Sequence, residues 1–367
     1  MKATVLTIFI LALLISFIGV MSIYSSTYQK EAQQWQSLFQ RQILWIIFGA
    51  ALFLYMSNLN YRHLWDVAYL LYALAILFLL LVFMLGIVRL GAQRWIRLAW
   101  FNFQPSEVAK IAVVIFMARY FSTKSVQETA LRVSRFSLWR SLFIPFFFMA
   151  APIVLIIEQP DLGSGAMVLA IFLAMLYLSG VKLGYIWASL GAMLAMLPFV
   201  WHFLRDYQKD RLMVFLNPNI DPLGAGYTII QSKIAIGSGG FFGKGWLSGT
   251  QGQLRFLPES HTDFIFATFA EEWGFFGCCL LLLLYYLLIR QGIMIALRTA
   301  DDFGKLLALG ISSMLGLQVA VNIAMNMGLA PVVGLPLPLM SYGGSSVCVT
   351  FISLGILASI DRNRAVF

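Results

Sequence analysis

Asp263 stands where a polar stretch meets an apolar one, in FLPESHTDFIFATFAEEWG, residues 256–274. A carboxylate at such a border loses part of its hydration, which raises its pKa and suits it to accepting a proton near neutral pH. A plainer reading makes it an acid at a helix N-terminus, favoured by the helix dipole, with Thr262 or Ser260 as the cap. Glu271 and Glu272 follow about two turns later, Glu271 nearer the Asp263 face, and either can pair with a cation from another span. Glu107 and Lys110 form a second charged group, at i and i+3 with acid before base. They either hold helices together or serve a site. A half-buried pair adds little stability over apolar packing, which favours the site.

Three further segments carry polar chemistry without a complete motif. In GSGGFFGKGW, residues 237–246, a nucleotide-binding loop would need glycine five residues before Gly243-Lys244 and a hydroxyl after it, but Ser238 and Gly245 occupy those places. The backbone N–H groups beside Lys244 are left as an anion nest or as part of a plain flexible loop. Gln104-Pro105 and Gln159-Pro160 both place proline near a helix start, with Glu107 or Asp161 in the first turn. Asn322 and Asn326 sit at i, i+4 ahead of a Pro- and Gly-rich run, Leu329 to Ser346. Asparagines on one helix face commonly join helices. Irregular backbone at membrane depth instead implies a sheltered or wet opening.

The elements that must position these residues are helices in lipid. Of 367 residues, 60% are hydrophobic and 11% charged, and the mean hydropathy is +0.84. Apolar runs of about 18 to 22 residues recur, each long enough to span a bilayer as a helix. Continuous runs exclude a β-barrel, whose strands alternate. The fold class is all-α and polytopic, one membrane domain over residues 1–367. Ten spans are expected, near 5–24, 41–58, 66–88, 106–121, 142–157, 161–180, 185–204, 264–289, 305–327 and 344–360. A long outer segment, residues 205–263, joins spans seven and eight, and within it AGYTIIQSKIAI, residues 225–236, has the periodicity of a short interfacial helix. The first run lacks a small-residue cleavage site and is read as a retained span. Cys278, Cys279 and Cys348 lie in apolar runs and read as packing residues.

The formal charge of +9 reflects membrane orientation rather than a nucleic-acid partner. With the N-terminus in the cytoplasm, Lys2, Arg62, the cations of the Arg119–Arg140 loop, Lys182, Arg290, Arg298, Lys305, Arg362 and Arg364 fall on the inner side. The short outer loops receive Lys30, Arg41, Arg89, Arg94 and Arg97. Both termini are therefore expected in the cytoplasm, and the outer loops, rich in Gly, Pro and amides, hold the chemistry.

Taken in order, GAQRWI (91–96), QPSEVAK (104–110), QPDLG (159–163), the 231–245 segment, LPESHTDFIFA (257–267), EEWGFFG (271–277) and GLPLPLMSYGGSS (334–346) resemble the SEDS family of shape, elongation, division and sporulation proteins. The wording of the last segment is similar to the elongation branch. The resemblance covers nearly the whole chain and implies a peptidoglycan glycosyltransferase in the bacterial cytoplasmic membrane. Its substrate would be lipid II, an undecaprenyl-diphosphate-linked disaccharide-pentapeptide. The resemblance also implies a class B penicillin-binding protein, a transpeptidase, as partner. Asp263 matches the family's essential outer-loop acid, Glu107 and Lys110 match its membrane pair, and Trp95 and Asp161 match other motif positions.

Joining sugars by displacement needs a base for the acceptor hydroxyl and a counter-charge for the departing diphosphate. Asp263 is the expected base. Lys110, Arg94, Arg211, Lys233 and Lys244 are the expected counter-charges, with a divalent cation, Mg or Mn, as an alternative that needs no dedicated cage. The three histidines show no metal-ligand spacing. A lipid-linked-precursor flippase and a non-catalytic scaffold are the rival readings, because intramembrane charge and broken helices also mark transport paths.

Overall fold

Lipid offers no hydrogen-bond partner to the backbone, so each apolar run satisfies its own N–H and C=O groups by becoming helical. The computed structural model describes residues 3–28, 33–89, 92–98, 101–123, 135–203, 206–222, 224, 226–254 and 256–363. Among the described residues, helices take all ten places: α1 Ala3–Thr27, α2 Gln33–Asn58, α3 His63–Leu85, α4 Pro105–Thr123, α5 Arg135–Glu158, α6 Leu162–Leu178 and α7 Leu183–Phe203, then, after three short helices, α11 Ile265–Arg298, α12 Asp302–Asn326 and α13 Gly344–Asn363. Six of them are long and apolar enough to cross a bilayer, and α5 and α6 add shorter apolar helices. The chain is a polytopic membrane protein. Lys2, Lys30, Lys124, Arg132, Arg205 and Arg364, used in the charge argument, lie outside the described residues.

Burial separates the core from the lipid-facing ring. In the most apolar window of α13, 83% of residues are buried, against 17% in α2. α13 packs on α2, while α12 packs on α11, α4 and α6, and α4 on α3. The apolar side chains of α2 that face outward, such as Leu44 and Ile47, are where a lipid-solvated helix exposes them.

Two connections are more ordered than the sequence predicts. The third span ends at Leu85 rather than 88, and the following outer loop forms an antiparallel sheet of β1 Gly86–Arg89, β2 Ala92–Leu98 and β3 Phe101–Phe103. Trp95 lies opposite Ile87, and Ile96 opposite Phe103. The alternating AQRWIRL pattern is strand-like, which the Gly and charge content of the loop obscured. The outer segment before α11 is likewise largely helical: α8 Asp206–Leu216, α9 Tyr227–Ser238 and α10 Thr250–Gln253. The expected short helix is α9.

α11 is broken at Gly274, whose φ of 64° and ψ of −164° lie outside helical geometry. The glycine-rich segment fills the break. Lys244 N and Gly245 N donate to Glu271 O and Glu272 O, each at 3.0 Å, while Phe275 N and Phe276 N donate to Gly240 O at 2.9 Å and Phe241 O at 3.1 Å. The amides beside Lys244 are thus consumed by α11, so the anion-nest reading is corrected: a broken membrane helix needs those donors itself. A Cβ at Gly274 would sit 2.2 Å from Gly243 N. Gly274→Ala is expected to cost about 1–3 kcal/mol, seen as a lower melting temperature in detergent. Gly316→Ala, whose added Cβ meets only Ile289 Cδ1 at 3.7 Å, should leave it unchanged or raised.

Candidate active site

α11 begins without help from its own flank. Its N-cap is Phe264, which has no side-chain capping bond. Thr262 Oγ1 turns back to Glu259, donating to its main-chain O at 3.3 Å and to Oε2 at 3.1 Å, and Ser260 Oγ is buried without a hydrogen bond. The expected caps are therefore not caps. Asp263 precedes the N-cap, so its carboxylate does not serve the helix end either.

Freed from capping, the Asp263 carboxylate faces charges brought from distant parts of the chain. Burial, and next the neighbouring Glu259, push its pKa up, Arg94 and Arg211 pull it down and Asp161 adds a small rise, leaving it at about 7. Arg94 arrives on β2. Its Nη1 is 3.7 Å from Asp161 Oδ1, Nη2 donates to Pro160 O, and Nε is buried without a hydrogen bond. Asp161 caps α6 by accepting from Ser164 N at 3.1 Å, which sets the position of Arg94. Arg211 arrives on α8 and donates from Nη1 to Val332 O at 3.3 Å.

A glycine lies beside both the carboxylate and the guanidinium. Gly334 has φ +70°, and a Cβ there would lie 3.5 Å from Asp263 Oδ2 and 3.8 Å from Arg94 Nη1. It belongs to the irregular segment after α12, so the Pro- and Gly-rich run does border the candidate site, as its sequence suggested. Other side chains hold that run in place: Tyr285 OH donates to Pro338 O at 2.6 Å, Gln318 Nε2 to Pro336 O at 3.3 Å and Gln42 Nε2 to Ser341 O at 3.1 Å.

The remaining expected site residues lie in other settings. Lys110 Nζ and Glu107 Oε1 are 2.8 Å apart and almost fully buried in the first turns of α4. They balance each other's charge and are not among the charges that bear on Asp263. Trp95 follows Arg94 on β2 and pairs with Ile87, while Arg94 sits where the register shifts between Gln93 and Trp95. Lys244 Nζ is 2.6 Å from Glu271 Oε1, which also accepts from Thr250 N and Thr250 Oγ1, each at 2.8 Å. Lys244 therefore staples the outer segment to α11, and the expected partner of Glu271 comes from a loop rather than another span. Glu272 accepts from Ser25 Oγ of α1. Lys233 lies against Gly328, its Cε 2.2 Å from where a Cβ would stand, and is not among the largest influences on Asp263. Gly334 and Glu259 were not singled out by sequence. Their signals, a glycine inside GLPLP and an acid four residues before Asp263, acquire meaning only from proximity.

Comparison with known proteins agrees over the whole chain. Residues 5–366 match the model of the cell cycle protein family FTSW_RODA_SPOVE. Peptidoglycan glycosyltransferase MrdB of Escherichia coli (strain K12) is 44% identical over 328 residues, covering 89% of this chain and 86% of MrdB. A probable peptidoglycan glycosyltransferase FtsW of Geobacter sp. (strain M18) is 37% identical over 363 residues, 96% of this chain and 95% of that protein. Among solved structures, a chain from work on the structural coordination of polymerization and crosslinking by a peptidoglycan synthase complex matches at TM-score 0.81 and 32% identity, covering 98% of both chains. The rod shape determining protein RodA of Thermus thermophilus matches at TM-score 0.71 and 28% identity, over 98% of this chain and 96% of that one.

The charge pattern around Asp263 predicts a titration. The Asp263 contribution to the protonated-carboxyl stretch in infrared difference spectra should have a midpoint near pH 7 and be the part of the band that Asp263→Asn removes. Because Glu259 raises the Asp263 pKa, Glu259→Gln should move that midpoint to lower pH.

Proposed function

The chain belongs to the FTSW_RODA_SPOVE family of cell cycle proteins, and on that premise we propose that it is a peptidoglycan glycosyltransferase that polymerises lipid II into glycan strands during cell elongation. The reaction takes place at the outer face of the cytoplasmic membrane, with both termini of the chain on the cytoplasmic side. The observation that carries the reading is a half-buried carboxylate, Asp263, that caps nothing, whose pKa burial pushes up to about 7, and on which two guanidinium groups bear.

In this reading the acceptor sugar hydroxyl attacks the anomeric carbon of the donor. Asp263 takes the hydroxyl proton as the new C–O bond forms, and the bond to the diphosphate breaks with its electron pair staying on the leaving oxygen. Fixed positive charge near the departing diphosphate is worth more in a site that excludes water than in solvent. Arg94 supplies it, with a buried Nε free of hydrogen bonds, and Arg211 supplies more. Asp161 holds Arg94 in place. The Glu107–Lys110 pair anchors the start of α4 and in this reading acts on the substrate through structure.

Among the described residues no group of three or more His, Cys, Asp or Glu is placed to hold a metal ion, and arginines take the counter-charge position beside Asp263. A magnesium or manganese ion enters this reading only as a companion of the diphosphate, and no step is routed through it. The same reading makes a class B penicillin-binding protein the partner that crosslinks the strands.

Purified protein given lipid II should produce glycan polymer, and Asp263→Ala should lower the rate by about 10²- to 10⁴-fold, the usual worth of a general base, while remaining folded by size exclusion. Polymer from that variant at the normal rate would sink the assignment, and translocation of lipid II without polymer would return the flippase reading. Since the base acts deprotonated, activity should rise with pH through a limb near 7.

A further inference from the structure

Asn322 and Asn326 lie one turn apart on α12 and are fully buried. Both donate to one atom, the main-chain carbonyl oxygen of Asp263: Asn322 Nδ2 at 3.1 Å and Asn326 Nδ2 at 3.0 Å. The two preceding carbonyls are captured as well. Ser341 Oγ donates to Thr262 O at 2.6 Å, and Tyr342 N donates to His261 O at 2.9 Å. Three successive peptide groups are thus gripped from outside just before α11 begins.

Asn326 does more than bridge two segments. Its Oδ1 accepts from Ala267 N at 3.2 Å while its Nδ2 binds Asp263 O. Residues 263 and 267 are i and i+4, the pair that would bond to each other if α11 began one residue earlier. The carboxamide stands between them and bonds both, while Ala267 N also donates to Phe264 O at 3.1 Å, and this holds Asp263 out of the helix. It also supplies the capping acceptor that Phe264 lacks. Asn322 ties the segment beside Gly334 as well, because the same Nδ2 donates to Leu335 O at 2.6 Å.

We propose that Asn322 and Asn326 are positioning residues for the transfer reaction: their carboxamides grip the Asp263 carbonyl, keep that residue out of α11 and so set where its carboxylate stands relative to Arg94 and Gly334. This rests on the reading of Asp263 as the base. Ordinary interhelical bonding would make them equivalent to Gln318, one turn earlier on the same face of α12. Gln318 is also buried and bonds the same irregular segment at Pro336 O, 3.3 Å away, without touching residues 261–263.

The test compares Asn326→Leu, Asn322→Leu, Gln318→Leu and Asp263→Ala as full-length chains with lipid II. Asn326→Leu keeps the shape and leaves Asp263 O its bond from Asn322 Nδ2 and Ala267 N its bond to Phe264 O, so it is expected to fold. Its kcat should fall about 100-fold, the effect of a misplacement of about 1 Å, with KM for lipid II nearly unchanged and the acid limb of the pH profile displaced. Gln318→Leu should lower the melting temperature while leaving the acid limb where it is. Normal kcat and pH profile in Asn326→Leu overturn the proposal, as does the same limb shift from Gln318→Leu. Should Asn326→Leu not fold, Asn322→Leu decides by the same readouts. Failure of both to fold while Gln318→Leu folds also overturns it, since the pair is then architectural. An active Asp263→Ala condemns the base assignment, whereas an inactive Asp263→Ala beside a normal Asn326→Leu condemns only the clamp.

Discussion

A backbone N–H or C=O inside a membrane protein must find a partner within the protein, and the candidate site exists because this chain interrupts its helices and then satisfies the consequences. At Gly274 the broken bonds of α11 are taken up by the 239–245 segment. At the start of the same helix, the carbonyls of His261, Thr262 and Asp263 are taken up by Tyr342, Ser341 and the two asparagines. Between α12 and α13 no regular structure forms, and Tyr285, Gln318, Asn322 and Gln42 serve the carbonyls there. Each interruption brings a polar side chain from another helix to membrane depth, and together they convert one end of an apolar bundle into a polar cleft.

That cleft separates charges that would otherwise neutralise one another. Arg94 is tied to Asp161 and Pro160 and Arg211 to Val332, so neither forms an ion pair with Asp263, and Gly334 lies beside both Asp263 and Arg94. A direct pair would have lowered the Asp263 pKa and made it a weak base. Burial with Glu259 nearby does the opposite and leaves it near 7. Glu271 is bound by Lys244 and the Glu107–Lys110 pair balances its own charge, while Glu272 is buried against Ser25 of α1, so Asp263 is the carboxylate on which Arg94 and Arg211 bear.

The reading of the sequence succeeded and failed along the same line. Helices α1 to α7 and α11 to α13 follow their apolar runs because burial in lipid makes hydrophobicity and helicity one signal. Asp263 was legible because a carboxylate at an apolar border is conspicuous. Lys244 misled, because a lysine among glycines looks the same whether its neighbours bind phosphate or plug a broken helix. The sheet at 86–103 was hidden by short strands with charged residues.

The amino-acid sequence alone determined the positions and order of the apolar helices, the family, and the acid that stands at an apolar border, since these depend on composition and local spacing. Only the tertiary structure decided which cations reach that acid, that it caps no helix, and that Asn322 and Asn326 hold its main chain. Those facts depend on proximity between residues 52 to 169 positions apart, and no local pattern encodes a distance across the bundle.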